Sequence, residues 1–359
     1  MPMRLTRLEV KNLRVIEAAG LAPGSGANLI VGANGSGKTS LLEAIHLLCT
    51  GRFFRSRRAQ EFIRRGASEI RVHAQIRQDD GEGVAVGVEK GPRSTRIRFA
   101  ESEVRSAWML ARRLPLVVIP PDSQRLVFDG ADLRRRLLDW GLFHVEQDYA
   151  AAFQNYRRVL QQRNAQLRAL PDASALAPWS AELEEKGEIL HGLRQVHLQR
   201  ILPRISKLAE ELVGLEVSVH YNPGWDDKIP LSDALTAQLN RDSARGYTGI
   251  GPHRADLELR VAETPAHQVL SRGEAKLICF ALWLAQAKDH QLQKGRTPVV
   301  LIDDLAAELD RENRRRVFET LFELGVQSFV TSVNDELAQD VGGSWKGFHV
   351  ERGKVEEMV

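Results

Sequence analysis

The spacing of hydrophobic residues changes period several times along the chain, and each change predicts an element. Loose alternation of Leu5, Leu8, Val10 and Leu13 over residues 3–17 predicts an opening strand or hairpin. Asn28-Leu29-Ile30-Val31 is a short apolar run, the pattern of a buried parallel strand. From Thr39 the period turns helical, with Leu41, Ile45 and Leu48 on one face and Gly51 as the stop. Ile70, Val72, Ala74 and Ile76, then Val84, Val86 and Val88, alternate strictly. They predict two strands joined by a turn at Asp79-Asp80-Gly81. Residues 95–99 add a third strand to this antiparallel meander, whose alternate positions include Arg71, Arg77, Arg96 and Arg98. Residues 114–119 form another buried strand, stopped by Pro120-Pro121.

From about Asp122 to Gly214 the texture is helical. Tyr149, Phe153, Tyr156, Leu160 and Leu167 mark one face of a long helix. A second helical stretch starts at Ser180, an N-cap candidate followed by Glu182, Glu184 and Glu185. It runs past Leu190, Leu193 and Ile201 to Leu212, with a kink or break expected at Pro203. These lengths suit an antiparallel helical lobe and are too short for an extended coiled-coil arm. Strands over 216–221 and 255–261 flank Gly249-Ile250-Gly251-Pro252-His253-Arg254, with a helix near 231–241.

Composition narrows the class. At 359 residues and 43% hydrophobic content the chain has material for two or three cores, and 27% charged residues argue against a large disordered part. No apolar run reaches 18 residues and no leader-like segment opens the chain, so a soluble, cytoplasmic protein without a membrane partner is expected. Cys49 and Cys279 fall in amphipathic helices and read as small buried hydrophobes in a reducing compartment. The net charge of +3 is segregated. Residues 52–65 carry a local +5, residues 90–113 another +5, and the remainder sums to −7. Such segregation suits a polyanion on a basic face, with Arg55, Arg57, Arg58, Arg96 and Arg98 as candidate DNA contacts. Scattered solvated arginines on a sheet surface are the alternative, and for Arg55, close in sequence to Gly51, a place in a nucleotide site or dimer interface is another.

Chemistry enters between strand and helix. Gly32-Ala33-Asn34-Gly35-Ser36-Gly37-Lys38-Thr39 fits G-x-x-x-x-G-K-[ST] at every fixed position, with Ser40 next in the helix. Glycines let backbone N–H groups wrap a polyphosphate, and the helix N-terminus adds partial positive charge. Lys38 would reach the β- and γ-phosphates, and the Thr39 hydroxyl would ligate Mg²⁺. The expected ligand is ATP. A second apolar strand, Val299-Val300-Leu301-Ile302, ends in Asp303-Asp304, 265 residues after Lys38. Asp303 would hold Mg²⁺ through water, and Asp304 would act as base or orient the attacking water. Between them, Leu270-Ser271-Arg272-Gly273-Glu274 opens another helix. Locally, Ser271 and Glu274 form a capping box.

Taken with the other two motifs, Leu-Ser-x-Gly-Glu resembles the ABC ATPase signature. In that superfamily its serine and helix N-terminus contact a γ-phosphate bound on the opposing subunit. Glu308-Leu309-Asp310 resembles the acidic loop that crosses such an interface, and Thr331 or Ser332 stands where a switch histidine is usual. The motifs are split by a helical insert too long for a transporter ATPase and too short for an SMC coiled coil. The chain resembles the RecF family over nearly its whole length, most specifically in five segments. These are Gly51-Arg52-Phe53-Phe54-Arg55-Ser56, Arg134-Arg135 with Leu138-Asp139-Trp140-Gly141, Gln162-Arg163-Asn164-Ala165, and Gly251-Pro252-His253-Arg254 with Asp256. Departures are Leu13, Ala131 and Glu274, and no Q-loop glutamine is assigned, with Asp122 the nearest substitute.

The resemblance implies an α/β ABC-type head without a long coiled coil. Lobe I, from residues 1–121 and 294–359, would hold the ATPase core with mixed and antiparallel strands. Lobe II, from 122–293, would be mostly helical and carry the signature. It implies a slow, DNA-stimulated ATPase that closes as an ATP-dependent homodimer on double-stranded DNA near gaps and single-strand/double-strand junctions. RecR would join it, with RecO and RecA as indirect partners. A transporter-type ATPase subunit and a non-hydrolysing nucleotide-sensing adaptor are the rival readings.

Overall fold

The structure is a computed structural model that describes residues 4–56, 58–77, 83–104, 106–169, 173–307 and 309–358. Arg57, Glu308 and the expected turn at Asp79-Asp80-Gly81 lie outside the described residues. In chain order the first strands are β1 (Arg4–Leu13), β2 (Ile16–Leu21), β3 (Ala27–Val31), β4 (Ile70–Arg77) and β5 (Gly83–Lys90). Then come β6 (Thr95–Phe99), β7 (Ser102–Glu103), β8 (Leu116–Ile119), β9 (Val217–Asn222), β10 (Asp256–Val261) and β11 (Thr264–Pro265). The last four are β12 (Val299–Ile302), β13 (Ser328–Ser332), β14 (Trp345–Glu351) and β15 (Lys354–Met358). The helices begin with α1 (Lys38–Thr50), α2 (Ala107–Arg113), α3 (Arg125–Phe128), α4 (Ala131–Val145) and α5 (Tyr149–Ala169). They continue with α6 (Ala173–Val213), α7 (Leu231–Arg245), α8 (Ala266–Val269), α9 (Arg272–Lys294) and α10 (Arg311–Glu323).

The chain divides into two compact units, residues 1–123 with 290–359, and residues 124–289. The first unit holds two six-stranded sheets. One has the order β15-β14-β3-β13-β12-β8, with five parallel strands and β15 antiparallel at its edge. The other is an antiparallel meander, β2-β1-β4-β5-β6-β7. Their apolar faces enclose α1, which touches β1, β4 and β5 as well as β13. For this reason α1 is buried almost all round: Leu42, Ala44, Leu47 and Cys49 are as inaccessible as Leu41, Ile45 and Leu48. One apolar face, as the periodicity suggested, is too narrow for a helix with a sheet on each side. Gly51 ends it in the left-handed region (φ 67°), its N–H donating to Leu47 O.

The second unit is mostly helical. α5 packs along α6, and a small sheet of order β11-β10-β9 flanks them. Here the sequence reading needs correcting. Ser180 caps no helix, because α6 starts at Ala173 and runs 41 residues through both Pro178 and Pro203 without a break. The Ser180 hydroxyl instead accepts a bond from Arg163 Nε at 3.1 Å.

This unit has a charged interior. Arg163, fully buried, donates to Asp242 at 2.8 Å and to the Thr248 hydroxyl at 2.6 Å. Asn164 accepts from the Thr248 N–H and hydroxyl, and Asp242 also accepts from Gly249 N. Arg194, also buried, binds Pro252 O and Asp139, whose carboxylate takes the Tyr149 hydroxyl as well. Arg134 forks onto Asp256 with bonds of 2.7 and 2.9 Å. The segments most specific to the family resemblance are thus largely the ones that lock residues 246–256 onto α4, α5 and α6.

Candidate nucleotide site

The nucleotide motifs of the first unit arrive at one edge of its parallel sheet, the carboxyl end of the strands. The glycine loop leaves β3, Asp303-Asp304 leave β12, Thr331 lies in β13 and Pro121 follows β8. With Arg14, Arg55 and Val333 they line a cleft of about 420 Å³ that Asn34, Gly35, Gly37, Lys38, Thr39 and Ser40 also face. Close approach explains the first glycine: a Cβ on Gly32 would stand 2.2 Å from Val350 O. Gly37 has φ 121°, a conformation that only glycine adopts without strain, at the entry to α1.

The lysine and the first acid of the cleft hold partners that a ligand can replace. Lys38 Nζ turns back onto the loop, donating to Gly32 O at 2.6 Å and Ala33 O at 3.0 Å. Burial pushes its pKa below the ordinary lysine value, against the pull of Asp304 and Asp303. Asp303, itself buried, gathers three side chains. Thr39 donates to its carboxylate at 3.1 and 3.3 Å, Thr331 at 2.8 Å, and Arg55 Nη2 at 2.6 Å. The Thr331 hydroxyl in turn accepts the Asp304 N–H at 2.8 Å, and Asp304 sits in the left-handed region at φ 58°. The Thr39 hydroxyl and the Asp303 carboxylate are adjacent hard oxygen donors, the set that Mg²⁺ takes beside a phosphate. The residues fit that ion.

Arg55 reaches Asp303 because the segment after α1 is bolted down. Glu43, a fully buried acid on α1, accepts Phe54 N at 2.9 Å and Arg55 N at 3.2 Å. Burial raises the Glu43 pKa, and the two N–H bonds counter part of that. Sequence reasoning missed Glu43 and Arg14. The one available signal was an acid inside the apolar run Leu41-Leu42-Glu43-Ala44-Ile45.

Other sequence candidates lie elsewhere. Ser271 and Gly273 belong to the second unit. There Ser271 and Glu274 make the full capping box: Ser271 N and Oγ donate to the Glu274 carboxylate at 2.8 and 2.7 Å, and Glu274 N donates to Ser271 Oγ at 3.3 Å. These bonds lower the Glu274 pKa. Asp310 caps α10, accepting Asn313 N at 2.8 Å. Of the arginines read as a DNA face, Arg55 is drawn into the cleft. Arg58 is 85% exposed, 4.0 Å from Glu61. Arg96 and Arg98 stand on the outer face of the meander, Arg96 being 3.6 Å from Glu89.

Kinship agrees with this geometry. A family model described as RecF/RecN/SMC N terminal domain matches residues 4–356. The chain is 42% identical to the DNA replication and repair protein RecF of Thioalkalivibrio sulfidiphilus, with 98% of each chain covered. It is 40% identical to the protein of the same name from Edwardsiella ictaluri, covering 98% of this chain and 99% of that one. Among solved structures, the recombination mediator protein RecF-ATP of the RecFOR pathway superposes with a TM-score of 0.87 at 25% identity, covering 100% of this chain and 98% of that one. An Smc head bound to the C-winged helix domain of ScpA shares the fold, with a TM-score of 0.64 at 17% identity over 99% and 97% of the two chains. With a glycine loop, a paired-acid strand end and whole-length relatives of one kind, the chain belongs to the RecF family of DNA replication and repair proteins.

Proposed function

We propose that this protein is an ATP-dependent DNA-binding clamp of recombinational repair. The observation that carries this reading is the meeting at Asp303 of Thr39, Arg55 and Thr331, which come from three separate stretches of the chain. In this reading ATP displaces the Lys38 amine from the loop carbonyls and takes its charge on the phosphates. The Mg²⁺ held by Thr39 and Asp303 would neutralise phosphate charge. Arg55, released from Asp303, is then free to turn toward the phosphates, and Asp304 orients or deprotonates the attacking water. Thr331, touching both acids, registers the change.

The two units are read as lobe I with the ATPase core and lobe II with the signature. Ser271 and Gly273 of one protomer would then close over ATP held by Lys38 and Asp303 of another. Nucleotide binding and dimerisation become a single linked equilibrium, with slow hydrolysis reopening the clamp. The exposed arginines of the meander and Arg58 would rest on duplex phosphates near a gap. RecR would join the closed dimer, and RecO and RecA would follow.

Sizing the full chain with and without Mg-ATP and duplex DNA tests this directly. A dimer that requires ATP and is strengthened by DNA is expected, and Asp304→Asn should trap it by sparing binding while removing the hydrolytic step. An ATP-dependent dimer that ignores DNA would favour a transporter-type subunit. ATP binding without any turnover in the unaltered protein would favour an adaptor.

A further inference from the structure

The solvent face of the meander sheet is not flat. On β5 it presents Gly83, Ala85 and Gly87, between the longer side chains of β4 and β6. Strand register sets Arg7, Gln75 and Ala85 in one row across β1, β4 and β5, and Glu9, His73 and Gly87 in the next. The register shifts between Leu5 and Arg7, where Thr6 is the extra residue and its hydroxyl donates to Gln75 O at 3.2 Å. A bulge of this kind bends a strand and re-aims the side chains beside it. The His73 ring lies over Gly87, where a Cβ would sit only 3.0 Å away from it. Together these features leave an open hollow of about 260 Å³ walled by Arg7, Glu9, His73 and Gln75, with Ala85 at its floor.

The chemistry of the wall is not that of a phosphate site. Arg7 and Glu9 pair at 2.7 Å, and a carboxylate in the wall repels an anion. Gln75 offers both a donor and an acceptor, Glu9 accepts, Arg7 donates, and His73 adds a flat ring. Mixed donors and acceptors around a planar platform match the edge and face of a nucleobase. Cations flank the hollow. Lys11 and Arg98 are exposed and, among the described residues, make no ion pair; Arg98 stands across from Gly87 on β6.

We propose that this hollow takes one unpaired nucleobase of a DNA strand whose phosphates pass over Lys11 and Arg98. The inference rests on the DNA-binding reading and deepens it. A base paired inside a duplex has its edge turned toward its partner, so the hollow selects the single-stranded side of a gap.

The test uses the full chain with ATP and two DNAs of equal length, one continuous duplex and one with a single-stranded gap, read by fluorescence anisotropy. Ala85→Leu fills the hollow without changing charge, and Gln75→Ala removes the amide. Both sites are exposed. Each variant should weaken gapped-DNA binding roughly tenfold, the order expected for one stacked base. Duplex binding should change less than about twofold, and ATP affinity should be unchanged. Abasic residues throughout the gap should weaken the unaltered protein to the level of Ala85→Leu and leave that variant unaffected. Equal affinity of Ala85→Leu and unaltered protein for gapped DNA, or equal loss on both DNAs, overturns the hollow while the DNA reading stands. Failure of the unaltered protein to bind either DNA overturns both.

Discussion

The cleft of the ATPase unit and the interior of the helical unit both gather charged side chains, and they hold them in opposite ways. In the cleft the bonds are exchangeable. Lys38 rests on two carbonyls and Asp303 collects Thr39, Thr331 and Arg55, every one a group that a phosphate or a cation can claim. In the helical unit the partners are shut away: Arg163 and Asp242 are 0% and 1% exposed, and Arg194 is 1% exposed. Family-specific residues therefore serve two ends. Arg55 lines the cleft, and more of them fix one loop in one shape.

The largest expected effect comes from breaking the closed network. Asp242→Ala leaves the Arg163 guanidinium buried without its carboxylate, which costs about 3–5 kcal/mol. Urea denaturation should show that loss, while ATP affinity of the fraction still folded stays unchanged. A loss under 1 kcal/mol would mean that the network is as exchangeable as the cleft.

Acid attacks the interiors of both units. Burial lowers His197 and His253 in the helical unit, and His46 and His290 in the ATPase unit, each to about 4. A histidine depressed in the folded state takes its proton first when unfolded. Its neutral burial is therefore without cost above about pH 6.5, and stability falls as pH drops from there toward 4. Each histidine contributes about 1.4 kcal/mol per pH unit within that window. Denaturant midpoints taken from pH 7 to pH 4.5 should decline steadily, and a flat profile would mean that these rings gain protons without unfolding.

Opening the other side of the comparison, Lys38→Ala should leave the urea midpoint nearly unchanged. It should cut ATP affinity by roughly 1.5–3 kcal/mol, the worth of a charge-assisted phosphate contact. Because burial lowers the Lys38 pKa, affinity in the unaltered protein should begin to fall at a lower pH than an ordinary lysine would dictate. That alkaline loss should be absent from Lys38→Ala, and its persistence there would assign it to another group.

The sequence made the cleft legible because its chemistry is local. A glycine loop between strand and helix, and a strand ending in paired acids, each fit in a dozen residues, and Thr331 was visible, together with Ser332, where a switch histidine is usual. Between a DNA face and the nucleotide site, local pattern could not choose for Arg55, since its contact with Asp303 spans 248 residues and depends on the buried Glu43. Arg163 is buried on α5 with Tyr156 and Leu167, but an arginine reads as solvent-facing until Asp242 is seen opposite. Ser180 followed by acids has the composition of a helix start. Tertiary packing carried the helix through Pro178 and overrode it.

The smallest expected effect decides what Ser271 is for. As a cap it satisfies the first turn of α9, and Ser271→Ala should cost about 1 kcal/mol of stability. Aspartate caps as well as serine, so Ser271→Asp should keep that stability. The two variants part company at the dimer. If Ser271 meets the γ-phosphate of ATP bound to a second protomer, a carboxylate there opposes the phosphate at close range. Ser271→Asp should then bind ATP as a monomer and fail to dimerise, whereas the less stable Ser271→Ala still dimerises, though more weakly. Sizing both variants with Mg-ATP, beside their denaturant midpoints, separates the roles. If Ser271→Asp dimerises like the unaltered protein, the serine is only a helix cap, and the exchangeable contacts end at the rim of the cleft.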